Sequence, residues 1–183
     1  NTKEPLVFLK PDTALISKGR SFFIPNFSKE IHYELEVVIK IKKPGRYIER
    51  KFSSQYYDEI TVGIDFTARD LQKNLREKGH PWEKSKGFDG STLVGNFLNK
   101  HDLPPISNLN FHLLKNGHTV QNENTKNMIW PIDELIEHIS KFFTLKIGDL
   151  IFTGTPSGVG AVIFEDNLKG FLEGKQLFEI NVS

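Results

Sequence analysis

The chain has no cysteine. That excludes a disulfide scaffold and thiolate zinc sites, and it fits a reducing compartment such as the cytoplasm. No apolar run reaches the roughly 18 residues that span a membrane, and no secretory leader pattern is visible. Neither sign of charge dominates: 24 Lys and Arg stand against 23 Asp and Glu, a net charge of +1 at pH 7. Such a balance gives no footprint for nucleic acid. The densest basic patch, IKIKKPGR at 39–46, contains a Pro-Gly turn and reads as solvated. There is no internal repeat, low-complexity tract or interdomain linker. The Gly-rich stretch TGTPSGVG at 153–160 lacks the Gly-Lys-Ser/Thr ending of a P-loop, and AVIFED after it has no helical stripe. Both nucleotide fingerprints therefore fail, although the loop's N–H groups still suit an anion. No Gly-x-Ser-x-Gly elbow supports a hydrolase triad.

What is present is a globular composition, 38% hydrophobic and 26% charged over 183 residues. That is enough for one domain with a sizeable core. Residues 5–9, PLVFL, read as a short buried strand ending at Lys10-Pro11. Residues 33–42 alternate as a half-buried strand, and 59–65 form a β-branched strand ending on an acid. In TARDLQKNLREKG, Ala68, Leu71 and Leu75 make a helical stripe, Thr67 with Asp70 resembles a capping box, and Gly79 with Pro81 stops the helix. Residues 81–107 read as a long ordered loop with one short strand near 92–98, and loops of that length often carry function. Asn116-Gly117 predicts a type I′ hairpin between 109–114 and 118–121. A second helix starts at Pro131, with Ile132, Leu135, Ile136, Ile139 and Phe143 as its apolar stripe. LIFTGTPSGVG reads as a buried strand entering the Gly-rich loop, and QLFEINV as a closing strand. The order does not alternate βαβα, so the fold class is α+β.

The chemistry-bearing residues begin in IHYELEVVIK at 31–40. Glu34 and Glu36 point the same way on a strand, with Cα atoms about 6.5–7 Å apart, so two carboxylates can converge on one cation. The same pattern also suits a solvated strand face. Asp65 sits between a strand and a helix, where a cap and a ligand are both open readings. With no cysteine, three carboxylates suit a hard ion such as Mg2+ or Mn2+. His32 shares the face of the glutamates, and a supporting role suits it better than ligation. The other histidines (80, 101, 112, 118 and 138) stand at no ligand spacing. Arg69 and Gln72, three apart, share a helix face one to two turns beyond Asp65; each suits a solvated polar face, and with metal at Asp65 both reach a substrate carboxylate.

HYELE, GIDFTARDLQ, KGHPWEKSKGFDGS and IFTGTPSGVG, in that order, resemble the fumarylacetoacetate hydrolase family over essentially the whole chain. The likeness is to its short single-domain members, of the acylpyruvate hydrolase and oxaloacetate decarboxylase type. The spacing agrees, with 28 residues between Glu36 and Asp65 and 20 between Asp65 and Lys86. The resemblance implies a mixed β-roll with two main helices, usually a homodimer. It makes Glu34, Glu36 and Asp65 ligands of Mg2+ or Mn2+, Lys86 the active-site lysine, and Arg69, Gln72 and Thr155 substrate contacts. It implies a metal-dependent hydrolase or decarboxylase of 2,4-dioxo and β-keto acids, small molecules such as acylpyruvates and oxaloacetate, working through a metal-stabilised pyruvate enolate. The alternatives are an isomerase or decarboxylase of dienoate diacids, or a non-catalytic β-rich binding module. Family hydrolases also use a His and Glu pair upstream of the stretch matching FLKPDTAL, and nothing here replaces it. The chain opens on Asn1 rather than Met. The expectation is thus one catalytic domain over 1–183 lacking its N-terminal lid segment, for which decarboxylation or tautomerisation is easier to defend than hydrolysis.

Overall fold

The computed structural model describes residues 3–183. Asn1, where the lid segment would join, lies outside the described residues. The strands are β1 (Ile31–Tyr33), β2 (Leu35–Ile41), β3 (Tyr57–Asp65) and β4 (Thr67–Ala68), followed by helix α1 (Arg69–Glu77). Short strands β5 (Thr92–Val94) and β6 (Leu98–Asn99) precede the hairpin of β7 (Asn110–Lys115) and β8 (His118–Asn124). Helix α2 (Ile132–Phe142) leads to β9 (Leu150–Phe152), β10 (Gly160–Ala161), β11 (Asn167–Leu172) and β12 (Lys175–Asn181). The strands form three sheets, ordered β10-β1-β4, β12-β11-β7-β8 and β5-β3-β2-β9, with β6 also on β3. Every pairing between these strands is antiparallel. Together they make the expected α+β roll.

The central strands are built from Val37, Val38, Ile39, Ile60, Val62 and Ile64, all buried. Branched side chains fit such a doubly covered pleat. The core they share includes Phe22 and Phe66, whose rings stack with centroids 3.8 Å apart. Asn116 and Gly117 both have positive φ, +51° and +80°, as the type I′ turn requires. Ile132, Leu135 and Ile136 of α2 are buried as predicted, whereas Phe143 is 39% exposed.

Five local expectations change. Residues 5–9 are not a strand: they run as an irregular arm with Leu6 and Leu9 exposed, and the first pairing of this segment with a sheet comes later, at the Leu15–Thr92 bridge. The strand read over 33–42 is interrupted at Glu34, where the chain passes from one sheet to another, and β2 has no wet face. Thr67 does not cap α1. It pairs in β4 with His32, its hydroxyl donates to Asp65 O, and Asp70 instead accepts from Ser28 Oγ at 2.6 Å and Lys29 N at 2.9 Å. On α1 the buried side chain is Gln72 rather than Leu71 or Leu75. The long loop holds two short strands, β5 and β6, not one.

Candidate active site

Strand register brings the three carboxylates together. Leu35 pairs with Ile64 and Glu36 with Gly63, and Asp65 N donates to Glu34 O at 2.9 Å. Glu34 thus lies opposite Asp65, while Glu36 follows two residues on, so all three side chains emerge on one face. Gly63 is required there, since a Cβ would lie 2.4 Å from Leu93 O and 2.9 Å from the Phe152 ring. Among the described residues, Glu34, Glu36 and Asp65 form the one group of three or more His, Cys, Asp or Glu side chains able to share an ion. Their ligand atoms lie within 4.8 Å of one another. All three are buried, at 7%, 5% and 2% exposure, which sets aside the solvated-face reading.

Three cations face them. Lys86 follows a single 3-10 turn (Glu83–Ser85), and its carbonyl accepts from Ser91 Oγ at 2.7 Å. Its ammonium bridges Glu34 Oε2 at 2.7 Å and Asp65 Oδ2 at 2.6 Å. Arg69, the first residue of α1, donates from Nη2 to Glu34 Oε1 at 2.5 Å and from Nη1 to Gln72 Oε1 at 2.7 Å. Lys10 donates to Asp65 Oδ1 at 2.5 Å and to Ser91 O at 3.0 Å. His32 is not directed at the carboxylates. Its Nε2 meets Glu30 Oε1 at 2.7 Å, and its Nδ1 accepts from Arg69 Nε at 3.4 Å.

The 153–157 loop closes one side. Gly154, with φ +94°, presents its N–H to Glu36 Oε2 at 2.6 Å, a backbone shape that favours glycine. The Thr155 hydroxyl donates to Leu35 O at 2.8 Å and accepts from Gln121 Nε2 at 3.0 Å, so it anchors the loop. Gln121, 2% exposed, also accepts from Leu35 N at 2.9 Å.

Burial and the adjoining charges set the protonation states. Burial first, then Asp65 and Glu34, pushes the Glu36 carboxyl up to about 8, against the Gly154 N–H and Lys86. At Glu34 burial acts upward, but Lys86 and Arg69 outweigh it and hold the carboxyl below its ordinary value. At Lys86 burial acts downward and is outweighed by Asp65 and Glu34, so the ammonium holds its proton above the usual lysine range. At Lys10 burial prevails over Asp65 and lowers the value.

The structure therefore gathers Glu34, Glu36, Asp65, Lys86, Arg69 and Gln72, and sets Thr155 behind them as a loop anchor. Sequence reasoning missed Lys10 and Gln121. A single lysine before a proline and a single glutamine in a polar strand carry no local signal.

The profile described as fumarylacetoacetate (FAA) hydrolase C-terminal matches residues 1–183. The mitochondrial oxaloacetate tautomerase of Homo sapiens is 36% identical over 171 residues, 93% of this chain and 77% of that protein. The mitochondrial oxaloacetate decarboxylase of Dictyostelium discoideum is 39% identical over 160 residues, 87% of this chain and 73% of that protein. The crystal structure of fumarylpyruvate hydrolase from Pseudomonas aeruginosa, in complex with Mn2+ and pyruvate, superposes with a TM-score of 0.91 at 33% identity. That match covers 98% of this chain and 79% of the other. Motif order, fold and these matches agree, and the chain belongs to the fumarylacetoacetate hydrolase family.

Proposed function

We propose that this chain, as one catalytic domain over 1–183, is a divalent-metal-dependent decarboxylase or hydrolase of β-keto and 2,4-dioxo acids, with oxaloacetate the first substrate to test. The observation that supports it is the buried carboxylate triad faced by Lys86, Arg69 and Lys10. An all-oxygen donor set without Cys or His fits Mg2+ or Mn2+, held by Glu34, Glu36 and Asp65. When bound, such an ion supplies a Lewis acid for a carbonyl oxygen. Relatives named for oxaloacetate and for fumarylpyruvate support a 2-oxo acid substrate.

The chain's own groups do the rest. Arg69 presents a planar fork suited to a carboxylate, and Gln72 fixes one arm of that fork. Lys86 brings a fixed ammonium to negative charge developing on the substrate, a preorganised donor of a kind that contributes about 3–4 kcal/mol. Burial of the cluster excludes water, which strengthens each of these contacts.

Lys73 and Arg76 extend the row of cations from Arg69 along α1 beside the site. That row favours, as a second reading, a longer dienoate diacid. A homodimer is proposed as the assembly, supported by Phe23, Ile163 and Phe164, which are 67%, 63% and 65% exposed around the C-terminal residues. Sedimentation at two concentrations tests it. A cytoplasmic setting is proposed on the absence of cysteine, beside two relatives named mitochondrial. Among the described residues no helix is long and apolar enough to cross a membrane.

The decisive experiment is turnover of oxaloacetate, acetylpyruvate, fumarylpyruvate and 2-hydroxyhepta-2,4-diene-1,7-dioate, with Mg2+ and in excess chelator. Glu34→Gln and Asp65→Asn are expected to abolish both metal binding and turnover. Full activity in chelator overturns the reading.

A further inference from the structure

We propose that Lys10 is a resident counter-cation of the site: it weakens the hold of the carboxylates on a metal ion and strengthens the hold of the loaded site on an anion. The inference rests on the metal reading above and gives a role to a residue that the motifs left out.

The observations are local and mutually consistent. Lys10 Nζ lies 2.5 Å from Asp65 Oδ1, the oxygen that Lys86 leaves free, since Lys86 takes Oδ2. Its second acceptor is the carbonyl of Ser91 at 3.0 Å, and the side chain is 14% exposed. A part-buried ammonium with two fixed acceptors is a built feature, not a solvated lysine that happened to fall nearby.

The arm that carries it is pinned at several points. The Phe8 ring lies 5.0 Å from Trp82 between centroids, and the Lys86 ammonium sits 5.5 Å from the Phe8 centroid. Thr13 O accepts from Gly90 N at 3.1 Å, and Ile16 N donates to Thr92 O at 2.8 Å. The same arm thus meets the loop on both sides of Lys86. Asp65, Lys86 and Lys10 are held by one set of contacts between elements far apart in sequence.

Charge arithmetic gives the role. Three ionised carboxylates against one divalent ion sum to −1, a field that repels an anionic substrate. Lys86 and Arg69 bring the sum to +1, and Lys10 brings it to +2. A 2-oxo dicarboxylate carries two negative charges, so Lys10 supplies the cation that balances it. The same positive charge, in contact with Asp65, opposes the approach of a metal cation. Removing it has opposite effects on the two binding steps, and that sign difference separates this role from simple support of Asp65.

The test is calorimetry on the full chain with Mn2+ alone, then with oxalate added to the Mn2+-loaded protein. Lys10→Met keeps the length and apolar stem of the side chain while removing the charge. It is expected to bind Mn2+ about tenfold more tightly and oxalate about tenfold more weakly than the native chain. Lys10→Arg keeps the charge and is expected to stay within about threefold on both. Should Lys10→Met fail to fold, Lys10→Gln carries the same expectations. Unchanged or weaker Mn2+ binding in the neutral variant, or unchanged oxalate binding, overturns the role of Lys10. A native chain that binds no Mn2+ overturns the metal reading and this role together.

Discussion

The Lys86 ammonium lies 2.6 Å from Asp65 Oδ2, on one of the three carboxylates that would hold a divalent ion. With Glu34 Oε2 2.7 Å away on its other side, Lys86 bridges two of the carboxylates. Its position accounts for how three acids tolerate burial side by side: the ammonium offsets two of them, and Glu36 takes the remaining strain by holding its proton.

Lys86→Met therefore separates two jobs. The variant loses the ammonium that faces developing negative charge, and turnover is expected to fall at least about a hundredfold. It also loses a cation that competes for Glu34 and Asp65, so Mn2+ affinity is not expected to fall. Steady-state kinetics and calorimetry on the same preparation check both. Native turnover would make Lys86 a structural residue, and lost Mn2+ binding would make it a support for the ligands.

The Glu36 carboxyl yields a pH dependence with a definite sign. Its folded value of about 8 lies above the ordinary carboxyl value of 4.5. Between these values the folded chain binds more protons than the unfolded one, so stability falls as pH rises. The metal-free chain is thus expected to lose melting temperature steadily from about pH 6 to about pH 8. Glu36→Gln removes the titrating group and is expected to flatten that slope. Excess Mg2+ favours ionised Glu36 and is expected to reverse it. A native slope equal to that of Glu36→Gln would show that Glu36 titrates normally. Differential scanning fluorimetry in a constant-ionic-strength buffer series is sufficient.

Part of this site was legible in sequence and part was not, for identifiable reasons. Glu34 and Glu36 fall on one face because a strand alternates, and that needs no tertiary information. Their burial was not legible, because alternation reads the same whether the polar face meets water or Lys86. Asp65 joins them only through the β2–β3 register, which is set across the 42–56 connection and its 3-10 helix (Arg50–Tyr56). The capping box at Thr67 was overridden when that residue paired with His32. Local propensity is a weak prior against such a pairing. Residues 5–9 have strand composition, yet their work is to carry Lys10 and Phe8 to the site. The helix α2 stripe and the Asn116-Gly117 turn were legible because both are purely local patterns.

Gly154 couples the loop to Glu36 through one hydrogen bond and one backbone angle, φ +94°. Gly154→Ala is expected to cost about 1–2 kcal/mol in stability, since an L side chain is strained there. No atom stands within 4 Å of the added methyl, so steric crowding does not contribute. The displaced N–H also leaves Glu36 with one fewer donor, which favours its neutral form and weakens Mn2+ binding at pH 7. Urea unfolding measures the first effect and calorimetry the second. A variant as stable as the native chain would mean the loop relaxes freely.

His32 is the first residue on the polar side of IHYELE, and its geometry gives it a positioning role. Nδ1 accepts from Arg69 Nε at 3.4 Å, while Nε2 faces Glu30 Oε1 at 2.7 Å, an arrangement that suits a neutral ring protonated on Nε2. The ring then engages the third nitrogen of a guanidinium whose other two are engaged by Glu34 and Gln72. His32→Ala frees that side of the fork and is expected to raise KM for oxaloacetate several-fold, with Mn2+ affinity unchanged. Asn offers a carbonyl oxygen near the place of Nδ1, so His32→Asn is expected to recover most of the loss. A ligand would instead lose Mn2+ binding in both variants, and a bystander would leave KM unmoved in both. Those three patterns do not overlap, so one calorimetric titration and one KM for each variant decide between support, ligation and neither.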